Sequence, residues 1–235
     1  MMRENYTAEL ERMRNAVILM GELAVEMFDL CADMFEKENA ASVGKLNMMR
    51  TRQEAIEKEI EKNVTTLITL QQPVSKETRE IIGAVRISAN WRKIGSHITD
   101  IALYSETCSA NLKSDELNYN KLIQIKTAVF EMLTGAVSAY KMRKPDEAIK
   151  IAERDDEIDD VLKEIQESLS NESERILNKS TGNSNELNDP NGVVPSTFSL
   201  CSLIIAEHIE RIGDHAADIC EEIVYLERYE FLKLN

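Results

Sequence analysis

Ile205-Ala206-Glu207-His208-Ile209-Glu210-Arg211-Ile212-Gly213-Asp214-His215-Ala216-Ala217-Asp218-Ile219-Cys220-Glu221 carries two patterns with one period. At about 100° of turn per residue, Ile205, Ile209, Ile212, Ala216, Ile219, Ile223 and Leu226 fall on one apolar stripe, the face a helix turns to a core. Glu207, Glu210, Asp214, Asp218 and Glu221 form a second stripe on the opposite flank, each acid one turn from the next. The stretch therefore reads as a long amphipathic helix with grease on one side and acid on the other.

The same period runs through most of the chain. It predicts helices over roughly 5–37, 40–71, 75–110, 115–142, 146–178 and 196–232. Pro73 suits a position just before the third helix, and the fourth ends before Pro145. Asn178 to Pro195 is polar and holds Gly182, Pro190 and Gly192, so it reads as the one long loop. Two phrases recur. Arg52-Gln53-Glu54-Ala55-Ile56-Glu57 matches Arg154-Asp155-Asp156-Glu157-Ile158-Asp159, and Ile94-Gly95-Ser96-His97-Ile98-Thr99-Asp100-Ile101 matches Ile212-Gly213-Asp214-His215-Ala216-Ala217-Asp218-Ile219. The offset is 102 residues for the first match and 118 for the second, which assigns the extra residues to the polar loop. The chain thus reads as all-α, two pseudo-repeated three-helix bundles over 1–112 and 113–235, the second with an insertion near 179–195.

Composition narrows the function. Of 235 residues, 42 are acidic and 28 basic, and the net charge of −14 opposes nucleic acid and anionic membrane surfaces. Lys141-Met142-Arg143-Lys144 is the nearest approach to a basic stripe. The first residues lead into a polar helix without a signal-peptide apolar region, and no stretch reaches the ~20 apolar residues of a membrane span, so a cytoplasmic protein is expected. Cys31, Cys108, Cys201 and Cys220 are far apart with no CxxC spacing, and are expected to be reduced core residues.

The acid row is the constellation that bears chemistry. Like charges one turn apart destabilise a helix by about 0.2–0.5 kcal/mol per pair. A bound cation removes that repulsion, and hard oxygen donors suit iron, manganese, magnesium or calcium. Glu153-Arg154-Asp155-Asp156-Glu157-Ile158-Asp159-Asp160 is a second source of oxygens; Asp155 and Asp159 flank its core side and could meet the row across a groove. Gly213 inside a helix costs about 1 kcal/mol relative to alanine, so close packing or ligand approach is expected there. The plain alternative is a solvated acidic face. His97, His208 and His215 lack HxxxH or ExxH spacing, and the repeat equivalence of His97 and His215 points to packing or hydrogen bonding. No nucleophile motif or phosphate loop occurs, so no enzyme is expected.

At Glu210-Arg211-Ile212-Gly213-Asp214-His215 the sequence resembles the PhoU family, which repeats an acid followed four residues later by Asp. Glu9-Leu10-Glu11-Arg12-Met13 through Met20-Gly21 is similar to the family's opening helix, and Gln71-Gln72-Pro73-Val74-Ser75-Lys76-Glu77-Thr78-Arg79 to its helix junction. The resemblance implies paired three-helix bundles that bind iron above all (manganese, magnesium, zinc or calcium in its place) through Glu210 and Asp214, with Asp155 and Asp159 from the neighbouring helix. Asp218 falls where the family often has Asn. It implies a homodimeric negative regulator that acts on a phosphate-specific ABC transporter and a membrane sensor kinase.

The first repeat departs from the pattern. Arg92 and Ser96 stand at the two motif positions and Gln53 replaces the counterpart of Asp155. One metal site, in the second half, is therefore expected, and Arg92 beside Lys93 gives the first half a basic spot for an acidic partner. Two other readings stay open: a metal-free adaptor for a different phosphate carrier, and a carboxylate-bridged metal enzyme or iron-storage bundle, which would call for Glu-x-x-His motifs.

Overall fold

The structure, a computed structural model, describes residues 2–37, 42–71, 74–108, 116–182 and 197–229. Its elements are α1 (Met2–Lys37), α2 (Ser42–Gln71), α3 (Ser75–Cys108), α4 (Glu116–Met142), α5 (Pro145–Ala152), α6 (Asp155–Gly182) and α7 (Thr197–Arg228), with no strand among the described residues. The all-α reading is correct. Pro73, the boundary near 112 and most of the polar insertion fall outside the described residues.

One predicted helix is two. The segment expected over 146–178 breaks at Glu153 and Arg154. Pro145 opens α5, and its last turn tightens where the Arg154 N–H donates to the Ile151 carbonyl at 3.2 Å. Arg154 then reaches out to Glu131 of α4, and α6 restarts with Asp155, Asp156 and Glu157 in its first turn, where the helix dipole favours acids. Arg143, between α4 and α5, adopts φ 54, a left-handed conformation usually left to glycine after a helix. Its guanidinium is held by Glu80 and Glu227.

In each half three helical rods pack on one another: α1, α2 and α3 in the first, α4, α5–α6 and α7 in the second. The most extensive contact joins the halves, where α3 lies antiparallel to α7. Arg86 reaches Glu222 at 2.8 Å near one end of this contact, and Tyr104 packs on His208 toward the other. A single apolar cluster runs through both halves; Trp91, Phe28, Met20, Met27, Ile94, Ile205 and Ile212 are all buried in it. α1 also packs on α4.

The middle and last rods of each half meet through one device. In the first half Gln53 of α2 is fully buried over Gly95 of α3, and a Cβ on Gly95 would overlap its Oε1. Gln53 Nε2 donates to the Met20 carbonyl at 3.0 Å. In the second half Asp155 of α6, 3% exposed, lies over Gly213 of α7, and a Cβ there would stand 2.7 Å from Asp155 Oδ1. The two contacts occupy equivalent repeat positions. Close packing therefore accounts for Gly213.

Two expectations need correction. Asn118–Met142 is long and apolar enough to span a membrane. It lies within α4, which packs against α1, α5, α6 and α7, so its apolarity belongs to the core. The cysteines are not all reduced either. Cys31 and Cys220 are free and buried, and burial pushes the Cys31 thiol up to about 12, leaving it unreactive. Cys201, near the start of α7, is disulfide-bonded to a partner outside the described side chains. Spacing along the chain could not show this.

Ile212→Ala removes a fully buried side chain and should destabilise the fold by about 2–5 kcal/mol in urea unfolding. Gly95→Ala should lower the thermal midpoint, although alanine gains about 1 kcal/mol of helix propensity, because Gln53 must leave its seat. A neutral or stabilising Gly95→Ala would contradict the close approach.

Candidate metal centre

The apolar stripe of α7 does what its spacing predicts. Ile205, Ile209, Ile212, Ala216, Ile219 and Ile223 are buried, and Leu226 is partly buried against Gly83 of α3. Glu207, Glu210 and Glu221 are half-buried, whereas Asp214 and Asp218 are exposed. Among the described residues, neither Glu207, Glu210 nor Asp214 forms an ion pair with a lysine or arginine. Asp218 lies 3.5 Å from His215 Nδ1.

The seat of Asp155 on Gly213 fixes how α6 lies along α7. One turn further on, Asp159 comes beside the acid row. Burial, then the charges of Asp214 and Asp159, push the Glu210 carboxyl up to about 7. Burial and Asp159 also raise Asp214, while nearby His215 and Arg211 act the other way. Glu210 and Asp214 thus lie beside the Asp159 charge, and both of these carboxyls are held above their ordinary range. Asp155 differs from the expectation of a flanking ligand: its side chain is buried in the helix contact. Asp218 sits a turn beyond Asp214, on the side toward Arg86, Asn90 and Lys93 of α3.

The first repeat shows the same scaffold with different charges. Arg92 and Glu57 stand at the positions equivalent to Glu210 and Asp159, and they form an ion pair at 2.9 Å. Ser96, at the position of Asp214, donates to the Arg92 carbonyl at 3.2 Å. The first half therefore carries its own cation where the second gathers acids. Arg92 is paired within the protein, which leaves only Lys93 of the basic spot expected to receive a partner. An all-oxygen set of Glu210, Asp214 and Asp159 fits hard or borderline cations such as iron or manganese.

The histidines pack and hydrogen-bond, as their repeat positions lead us to expect, but they do so with one another. All three in the chain meet at the α3–α7 contact. His97 stacks on its repeat counterpart His215 with ring centroids 5.7 Å apart. His97 Nδ1 and His208 Nδ1 are 3.1 Å apart, a hydrogen bond in which one neutral ring donates and the other accepts. Burial first, then His208, His215, Arg211 and Lys93, lower His97 to about 4. Burial lowers His208 as well, against the pull of Asp100 and Glu207. Sequence spacing missed His208 because its repeat counterpart is Asn90. Antiparallel pairing about His97 and His215 is the signal that would have found it.

Two packed helical units related by an internal repeat define an all-α, helical-bundle class of protein. The family model of the PhoU domain matches residues 17–104 and 122–223, and the chain belongs to the PhoU family. It is 26% identical over 236 residues to a phosphate-specific transport system accessory protein PhoU homolog of Clostridium acetobutylicum, covering 100% of each chain. A Streptococcus pneumoniae protein of the same description is 28% identical over 240 residues, again with 100% of each chain covered. The crystal structure of PhoU from Pseudomonas aeruginosa superposes with a TM-score of 0.81 at 21% identity, covering 96% of this chain and 100% of that one.

Glu210 generates a pH signature. Its folded pKa of about 7 lies above the ordinary 4.5, so the folded state keeps a proton that the unfolded state releases. Its ionisation therefore removes stability as pH rises from 4.5 to 7, and the loss is complete above 7. Metal-free Glu210→Gln should melt above the parent at pH 8, and the two midpoints should converge below pH 4.5. His97 titrates with the opposite sign but is common to both proteins. Equal melting curves at pH 8 would show that Glu210 is not strained.

Proposed function

We propose that this chain is a metal-bearing accessory regulator of phosphate uptake, one that restrains a phosphate-specific ABC transporter and reports phosphate sufficiency to a membrane sensor kinase. The observation that carries the metal part is the carboxylate cluster of Glu210, Asp214 and Asp159 without a lysine or arginine partner, set against the Arg92–Glu57 ion pair at the equivalent place. The transport part is supported by the descriptions of the relatives, which are phosphate-specific transport system accessory proteins.

In this reading Glu210 and Asp214 of α7 and Asp159 of α6 hold the ion, and Asp218 lies at the edge of the site. Asp155 positions α6 from beneath. The ion supplies the positive charge that lets these carboxylates ionise together, and it ties α6 to α7. Iron is the favoured ion; manganese, magnesium, zinc or calcium suit the same oxygens less specifically. The protein works in the cytoplasm as a homodimer and catalyses no reaction. The surface it offers its partners is acidic, in keeping with the net charge of −14, and suits a basic patch on a membrane protein's inner face.

Asp214 lies off the core, so Asp214→Asn should fold normally. Elemental analysis after iron loading should show at least half of the bound metal lost from this variant. Cells that carry it should take up phosphate in excess when phosphate is plentiful, as cells without the protein should. Unchanged metal content would contradict the site; lost metal with normal control of uptake would contradict its regulatory role.

A further inference from the structure

We infer that His97, Asp100 and His208 form a second metal site, distinct from the carboxylate cluster, that takes a divalent ion of the zinc class. His97 and Asp100 stand one turn apart on α3, and His208 faces them from α7. One ligand atom from each lies within 4.8 Å of the other two. The two imidazole nitrogens are already 3.1 Å apart. Ligands bound at about 2.0 Å in a tetrahedron lie about 3.3 Å from one another, so the pair is spaced as two corners of a zinc site. Asp100 supplies the third ligand atom of the set.

The rings are held for this. His97 stacks on His215, and the Tyr104 ring packs 5.6 Å from His208. Burial first, and Arg211 nearby, favour the neutral form of both imidazoles, and a neutral ring is the form that ligates. Asp100 and Glu207 supply negative charge close by. Two imidazoles and one carboxylate select zinc, cobalt, nickel or ferrous iron over magnesium and calcium. Three protein ligands leave a coordination position open to water or an exchangeable group.

The site has no mirror in the second half. The counterparts of His97 and Asp100 are His215 and Asp218, which lie 3.5 Å apart. The counterpart of His208 is Asn90, a buried amide on α3. One residue therefore turns one of two similar places into an imidazole pair, and it does so at the joint between the halves.

The test uses the full chain, stripped with a chelator and loaded with cobalt(II). Proton NMR should show a pair of hyperfine-shifted, exchangeable imidazole N–H resonances that zinc abolishes by displacement. His208→Asn, which installs the residue found at the equivalent place, should remove both signals and weaken cobalt binding at this site about tenfold or more. Asp100→Asn should weaken binding with the fold intact by circular dichroism, and it serves if His208→Asn fails to fold. Asp214→Asn should keep both signals, which separates this site from the carboxylate cluster. Absence of shifted imidazole signals in the parent, or their persistence in a folded His208→Asn, would overturn the assignment. So would unchanged cobalt affinity in Asp100→Asn.

Discussion

The seating of a buried polar side chain on a glycine fixes the site. Asp155 on Gly213 and Gln53 on Gly95 each bring two helices closer than any Cβ would allow. A buried carboxylate or amide is expensive to misplace, because it must find its partners in one position and loses them when the helix slides by a turn. The contact therefore sets register as well as distance. With Asp155 fixed, Asp159 lies near enough to Glu210 and Asp214 for its charge to act on both. The strain on Glu210 follows from packing that is satisfied elsewhere.

Duplication of this unit allows a comparison within one molecule. Both halves keep the glycine, the seated polar residue and the histidine at the joint. They differ in charge. The first half meets Glu57 with the guanidinium of Arg92, and that pair is neutral within itself. The second half presents carboxylates from two helices and leaves the counter-charge to come from outside. An internal arginine makes a fixed structure. In the proposed function an exchangeable ion would make the α6–α7 contact depend on supply, which is a property a regulator can use.

Much of this was legible in the residues. The three- and four-residue steps of isoleucine on α7 located its buried face, and the same steps of Glu207, Glu210 and Asp214 located the acid row, because a helix converts spacing directly into direction. The repeated phrases located the equivalence of Gly95 with Gly213. What spacing could not convey depends on neighbours. Asp155 reads as an acid flanking the core side of its helix until α7 offers it a glycine notch. The break at Glu153 and Arg154 has no proline or glycine to mark it, and it reflects the reach of Arg154 to Glu131. His208 acquires its partner only when α3 and α7 lie antiparallel. The family resemblance pointed to Glu210 and Asp214 as the ligands proposed here, and the packing of α6 is the reason that Asp159 is proposed beside them.

The most direct measurement is to give the second half the charge pattern of the first. Glu210→Arg places a guanidinium opposite Asp159, as Arg92 stands opposite Glu57. Thermal unfolding would be followed with the protein stripped of metal and again with iron added. If the carboxylate cluster waits for a cation, the variant melts above the stripped parent and gains nothing from iron, while the parent does gain. A variant that melts below the stripped parent, or that is stabilised by iron as much as the parent, would contradict the account.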